Sequence, residues 1–341
     1  SVSRSMLLLV GCVSSLLLPT PRACAPCPTP SLARCHGLSI VHTTPKELTG
    51  VFRRAEFPRM GIALPSCSAS GVLSTAVRAG CIGVLAQLGL FAAFKRASDP
   101  VLSRAPGYSA HSAVAFVLMV FSAAFGLIGW LNPPATAGTA AGRLLVESNS
   151  ARWLAATLLG FLIAWDIPTC LHIQRLRKPD MLGHHIAMTV TAIVGAVYLP
   201  THYGLYYMGV VELSSIPMTA YDQYERAADV VSSLEDISPQ RLQRVRSIRD
   251  GLKGITAVAF VLVRAIDFTR VTLSKFLPDA VQVLRAPSTA ASYYLPLQFM
   301  IVSSACFAAL QLYWFSMFVR ISLTQRAREQ RKKKRSGNRD T

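Results

Sequence analysis

From residue 71 onward the chain is dominated by seven apolar stretches, at about 71–94, 110–131, 152–173, 184–200, 202–221, 252–269 and 290–319. A helix rises 1.5 Å per residue, so about 20 apolar residues cross the roughly 30 Å hydrocarbon core of a bilayer. Each stretch is long enough, or nearly so. The fourth is short and ends at Pro200 against the fifth with almost no loop, which fits a tight helical hairpin. No stretch repeats another at a fixed period, so a solenoid is unsupported. The expected fold is all-α, a polytopic transmembrane helix bundle of about seven spans.

Composition agrees. Hydrophobic residues make up 52% of the 341 and charged residues only 15%, with mean hydropathy +0.39, against about 25% charged in soluble domains. A disordered protein, a disulfide scaffold and an ordinary cytosolic enzyme are excluded. The net charge of +18 would suit a nucleic-acid binder, but membrane proteins concentrate basic residues in their cytoplasmic loops. No nucleic-acid partner is expected.

The distribution of that charge sets an orientation. Segments 95–109, 174–183 and 222–253, with the tail from Arg320, hold 21 basic residues, and the alternate loops hold 4. The positive-inside rule then places the C-terminus in the cytosol and the N-terminus in the lumen. Basic residues before residue 71 argue the other way, but a translocated leader makes them count for little.

Four regions follow. Residues 1–25 read as a leader: Met6 opens a 13-residue apolar run, and Ala23-Cys24-Ala25 resembles a cleavage site. Too short to span, this run fits a secretory signal; an organellar transit peptide fits too, since no Asp or Glu precedes Glu47. Residues 26–70 are Pro-rich linker, 71–325 the transmembrane domain, and 326–341 a basic cytosolic tail suited to anionic lipid headgroups. Cys24 and Cys27 have redox spacing but follow a leader rather than opening a helix, and a zinc site lacks a second pair. Between Ser238 and Gly254, a capping Ser, Pro239 and apolar residues at helical spacing predict an amphipathic surface helix or an ordinary solvated one.

Ionisable residues inside the apolar stretches cost about 2.5–3.5 kcal/mol each and need a reason. They are Asp166, His184, His185, Glu212, Arg264 and Asp267. Arg264 can pair with Asp267 three residues on, or with Glu212 of the neighbouring span. Asp166 precedes Ile167-Pro168, where proline frees a backbone carbonyl and allows a kink with a wet pocket, or capping of a broken helix. Adjacent His184 and His185 point about 100° apart, so both cannot face lipid. Neutral imidazole can move a proton, act as nucleophile or bind metal. No third His or Cys stands at a helical offset from the pair, so no metal is expected. Tyr203, Tyr206 and Tyr207 read as an interfacial aromatic belt.

The run Met181-Leu-Gly-His184-His185-Ile186, the run Val211-Glu212-Leu-Ser-Ser215-Ile-Pro217 and the closing Leu310-Gln-Leu-Tyr313-Trp314-Phe315 resemble the TLC-domain family, over roughly 71–325. That family of multi-pass membrane proteins includes ceramide synthases and several lipid-homeostasis proteins. The expected location is the endoplasmic reticulum or another endomembrane, with an organellar membrane as the alternative. Ceramide-making members combine a His-His pair with two Asp three apart. Here Glu212 occupies the first acidic position and Ser215 the second. That departure favours a non-enzymatic protein of membrane-lipid binding, sensing or homeostasis, with no cofactor and with Asp166, His184, His185, Glu212, Ser215 and Arg264 at its lipid site. The alternative is an acyl-CoA-dependent N-acyltransferase acting on a long-chain base. There His184 or His185 would be base or nucleophile, Glu212 would orient it, and acyl-CoA would be co-substrate.

Overall fold

Helix is the only regular structure among the described residues, 69–234 and 238–337, of the computed structural model. In a lipid interior nothing but the chain itself can satisfy backbone N–H and C=O groups, and a helix does so locally. The leader, nearly all of the Pro-rich linker, the Cys24–Cys27 pair and residues 338–341 lie outside the described residues.

The helices are α1 (Ala69–Lys95), α2 (Pro106–Leu131), the short α3 (Ala140–Leu144), α4 (149–172), α5 (179–198), α6 (His202–Met208), α7 (Ser215–Ser232), α8 (239–285) and α9 (Tyr294–Gly337). Their starts are written in the sequence. The Ser148 and Ser238 hydroxyls accept from the backbone N–H of Ala151 and Arg241, at 3.2 and 3.3 Å, and cap α4 and α8. Pro106, Pro179 and Pro239 stand in the first turns of α2, α5 and α8, where a missing N–H costs nothing.

Five helices are long and apolar enough to cross a membrane: Gly71–Lys95, Pro106–Leu131, Ala140–His172, Pro179–Tyr198 and Ala291–Met317. The other two expected stretches do not meet that measure. The fifth breaks at Gly209 into α6, a 3₁₀ turn (Val210–Ser214) and α7. The sixth carries Lys253, Arg264 and Asp267 within α8, with Arg270 just beyond it. The expected amphipathic segment is the first part of that same helix, capped by Ser238 and packed on α7. Thus it leads without a break into the sixth stretch.

Packing is closest where side chains are smallest. A Cβ on Gly160 of α4 would run into the Ala76 backbone of α1, and Gly126 of α2 faces Gly209 at the end of α6. The buried residues form two clusters. One joins α1, α2, α4 and α6 through Ala79, Val114, Leu118, Leu154, Phe161 and Met208. The other joins α3, α6, α8 and α9 through Leu144, Tyr206, Val271, Phe276 and Leu297. Large apolar side chains also cover the outside: Leu85 is 69% exposed and Leu295 75%. A soluble bundle would not tolerate that surface, and a lipid-facing one requires it.

The three tyrosines do not form the expected belt. Tyr203, Tyr206 and Tyr207 are buried, and their hydroxyls meet Asp279 (2.7 Å), Asp267 (2.8 Å) and Thr272 (3.0 Å) of α8. Polar residues on α8 supply the partners that the headgroup region would otherwise provide.

Candidate functional site

Pro168 cannot donate to the carbonyl one turn earlier, and α4 accommodates the loss by widening into a π turn over Leu162–Asp166. A second π turn, Thr272–Phe276, precedes Pro278 in the same way. The first one aims Asp166 into the bundle. Its carboxylate accepts from His111 Nε2–H of α2 through Oδ1, at 2.8 Å, and from His185 Nδ1–H of α5 through Oδ2, at 2.9 Å. One acid thus joins two imidazoles from two other helices, and His185 keeps Nε2 free of that bond. Cys170, one turn further along α4, brings Sγ to 3.6 Å from Asp166 Oδ1 and 3.9 Å from His185 Nδ1. Trp165 stacks on His111 with ring centroids 4.9 Å apart, and its Nε1–H donates to Gln87 Oε1, while Gln87 Nε2–H donates to the Gly107 carbonyl. The His111 ring is therefore held on a face and an edge.

His184 points another way, toward Phe307 and Trp314 of α9, with centroids 6.3 and 6.4 Å away. Its Nδ1 is buried with no hydrogen-bond partner among the described residues. Such an atom costs free energy unless something meets it.

Glu212, Ser214 and Ser215 form a separate group around Arg264. Arg264 donates from Nε to Ser214 Oγ (2.7 Å) and from Nη2 to Ser215 Oγ (2.9 Å), with Glu212 Oε2 3.9 Å from Nη2. All four side chains are buried. Of the two pairings open to Arg264, the structure makes the one with Glu212; Asp267 is bonded to Arg270 and Tyr206 instead. Of the sequence-derived site residues, then, His185 comes together with Asp166, and Glu212 and Ser215 with Arg264. No direct bond joins Glu212 to either histidine among the described residues. His111, Cys170, Gln87 and Trp165 were not read as site residues from the sequence. Their signal is only that each is a polar or polarisable group in an apolar run.

His111 lies five residues into α2 and His185 six into α5, about 8 to 9 Å along the axis from their loops. At that rim Arg175 and Arg226 flank the Tyr108 ring (5.4 and 5.0 Å), and Arg175 approaches Asp229 at 3.7 Å. Burial and neighbouring Glu225 push the Asp222 carboxyl up to about 6. Trp130, Arg143, His202, Lys275 and Asp279 surround a cavity of about 380 Å³. Arg143 bonds Asp279 at 2.5 and 2.7 Å, and Lys275 lies 5.9 Å over the Trp130 ring.

An all-helical bundle with a lipid-facing apolar exterior and a buried ionisable interior defines a multi-pass integral membrane protein. The family model described as TLC domain matches residues 109–320, so the chain belongs to the TLC-domain family of membrane lipid-related proteins. No curated protein and no solved structure is similar enough to the chain to register as a match.

Proposed function

We propose that this protein binds a membrane lipid within the TLC domain and serves in lipid sensing or homeostasis in the endoplasmic reticulum or a related endomembrane. The observation that carries the reading is the unpartnered Nδ1 of His184 between Phe307 and Trp314, beside the charged groups of α4, α5 and α8. A headgroup hydroxyl or phosphate supplies the missing partner, and acyl chains lie along the aromatic and aliphatic surface of α9. Glu212 and Ser215 hold Arg264 in place, and anionic headgroups gather at the basic tail.

One observation favours a second reading, acyl transfer from acyl-CoA to a long-chain base. The Asp166–His185 bond orients an imidazole with a free Nε2, as nucleophile or base catalysis needs. In that reading the orienting acid is Asp166 and not Glu212.

The test uses the full chain purified in mild detergent, with mass spectrometry of the lipids that accompany it. One lipid class should be enriched over the membrane extract and should fall about tenfold with His184→Ala. Retention that ignores His184→Ala would defeat the binding reading. The same preparation, given a long-chain base and acyl-CoA, should form no N-acylated product; turnover that disappears with His185→Ala would establish the enzyme instead.

A further inference from the structure

We infer that Asp166, Cys170 and His111 form a binding site for a divalent metal ion of the zinc type. One ligand atom from each residue (carboxylate O, thiol Sγ, imidazole N) lies within 4.8 Å of the other two. Asp166 and Cys170 stand four apart on α4, the spacing that sets two ligands on one helix face. His111 completes the set from α2. A borderline-soft cation takes this mixture of oxygen, sulfur and imidazole nitrogen, whereas magnesium or calcium would not accept the sulfur.

The geometry requires little adjustment. Donor atoms on a tetrahedral zinc, with bonds of about 2.0–2.3 Å, sit roughly 3.3–3.8 Å from one another. Cys170 Sγ is already 3.6 Å from Asp166 Oδ1. His111 Nε2, now 2.8 Å from the same oxygen because a proton lies between them, must retreat by about half an ångström. The surroundings also match a metal centre. Trp165 holds the His111 ring by its face. His185 donates to Oδ2, the carboxylate oxygen that the ion leaves unused, as the partners of ligating carboxylates do. Three protein ligands leave a fourth position open, the pattern of zinc sites that take up water or substrate.

The charges and protons balance. Binding releases the Cys170 thiol proton to solvent, and the His111 proton moves from Nε2 to Nδ1 so that Nε2 can donate its lone pair. A dication with one carboxylate and one thiolate is neutral overall, which a buried site in a membrane protein demands. The π turn ending at Asp166 belongs to this picture, since such turns recur where a helix serves a site. The assignment holds whichever lipid occupies the bundle.

The experiment is metal binding by the purified full chain. After chelation and dialysis the protein is titrated with Zn²⁺ or Co²⁺ alone, and bound metal is counted by plasma mass spectrometry. The expected result is about one ion per chain and, with Co²⁺, a tetrahedral visible spectrum with a thiolate-to-metal charge-transfer band. A chain in which every cysteine except Cys170 is serine should keep that band, which assigns the sulfur even where a ligand variant folds poorly. Cys170→Ser should abolish the band, and His111→Ala should weaken binding at least about tenfold. His185→Ala should retain the band while weakening binding by about 10–100-fold. Substoichiometric metal that ignores Cys170→Ser and His111→Ala would mean an adventitious ion only and would overturn the inference. So would a chain holding only Cys170 that shows no charge-transfer band. Lipid retention in the metal-free protein is read separately, so a failure of the metal site and a failure of lipid binding remain distinguishable.

Discussion

Arg264 carries a full charge into the sixth apolar stretch, and the residues around it explain how. Two serine hydroxyls accept from its guanidinium and a buried carboxylate stands 3.9 Å away. Removing one member of a buried ion pair typically costs 3–5 kcal/mol, because the other is left uncompensated. Arg264→Met should therefore destabilise the purified protein by about 3 kcal/mol, as read from unfolding in mixed detergent. Adding Glu212→Gln should restore a good part of the loss, because the stranded charge is gone. An additive double variant would show that Glu212 does not feel Arg264. Asp166 and Glu212 also show what a sequence can carry at this scale. That Asp166, Glu212 and Arg264 needed partners was legible from their cost in lipid. Which partner each one takes was not, because His111 and Asp166 are 55 residues apart and Arg264 and Ser214 are 50 apart. The proposed metal ligands are of the same kind: no third His or Cys stands at a helical offset from His184 and His185, and Asp166 and Cys170 meet His111 only across α2 and α4.

Helices here are shaped by proline and glycine more than by apolar periodicity. Pro168 and Pro278 convert the preceding turns to π geometry without ending their helices. That the helix is disturbed at Asp166 was legible in the Ile167-Pro168 pair; that the disturbance is a π turn was not. The π turn over Phe260–Phe268 precedes no such proline and had no signal of its own. Glycine sets the distance between α1 and α4. Without a bilayer-facing hydrophobic force to press helices together, small residues bring their backbones into contact and packing does the rest. A methyl at Gly160 meets the Ala76 backbone, which cannot swing aside as a side chain could. Gly160→Ala should cost about 1–3 kcal/mol of stability and lower the yield of folded protein. Gly89→Ala, on α1 with nothing within 4 Å of the added methyl, should be neutral or stabilise by up to about 1 kcal/mol. Equal losses from the two would show that the Gly160 effect does not come from its contact with α1, since helix propensity alone favours both changes. The fifth stretch breaks at Gly209, where a second close approach, of Gly126 on α2 to Gly209, brings α2 against the end of α6.

At the scale of the bundle, the loop charges of the described residues are sorted to two ends. Arg241 bonds Asp99 at 3.1 Å, Arg104 reaches Ser233 at 2.9 Å and Arg175 approaches Asp229 at 3.7 Å. Segments 95–109, 174–183 and 222–253, which the sequence groups only by alternation, are thereby tied together at one end. Arg143 with Asp279 and Lys275 with Trp130 tie the alternate loops together at the other. The 12 basic residues of those three segments, part of the 21 against 4, thus gather at one end of the bundle. Each basic residue near an anionic leaflet is worth about 1 kcal/mol, so the inverted orientation is disfavoured by far more than thermal energy. Asparagine-linked glycosylation can read the outcome, because the chain has three Asn and none heads an N-x-Ser/Thr sequence. An Asn-Gly-Thr insert with a Gly/Ser spacer, placed after Gly138, enters an exposed turn where an added methyl meets nothing within 4 Å. The same insert after Arg177 enters a basic turn at the other end. On translation into microsomes the Gly138 insert should gain a glycan that an endoglycosidase removes, and the Arg177 insert should gain none. The reverse pattern would invert the bundle and move the Asp166–His111–Cys170 group from the cytosolic side to the lumenal one. Glycans on both inserts would mean that the loops are not sorted to opposite sides, and the alternating path through the membrane would fall with them.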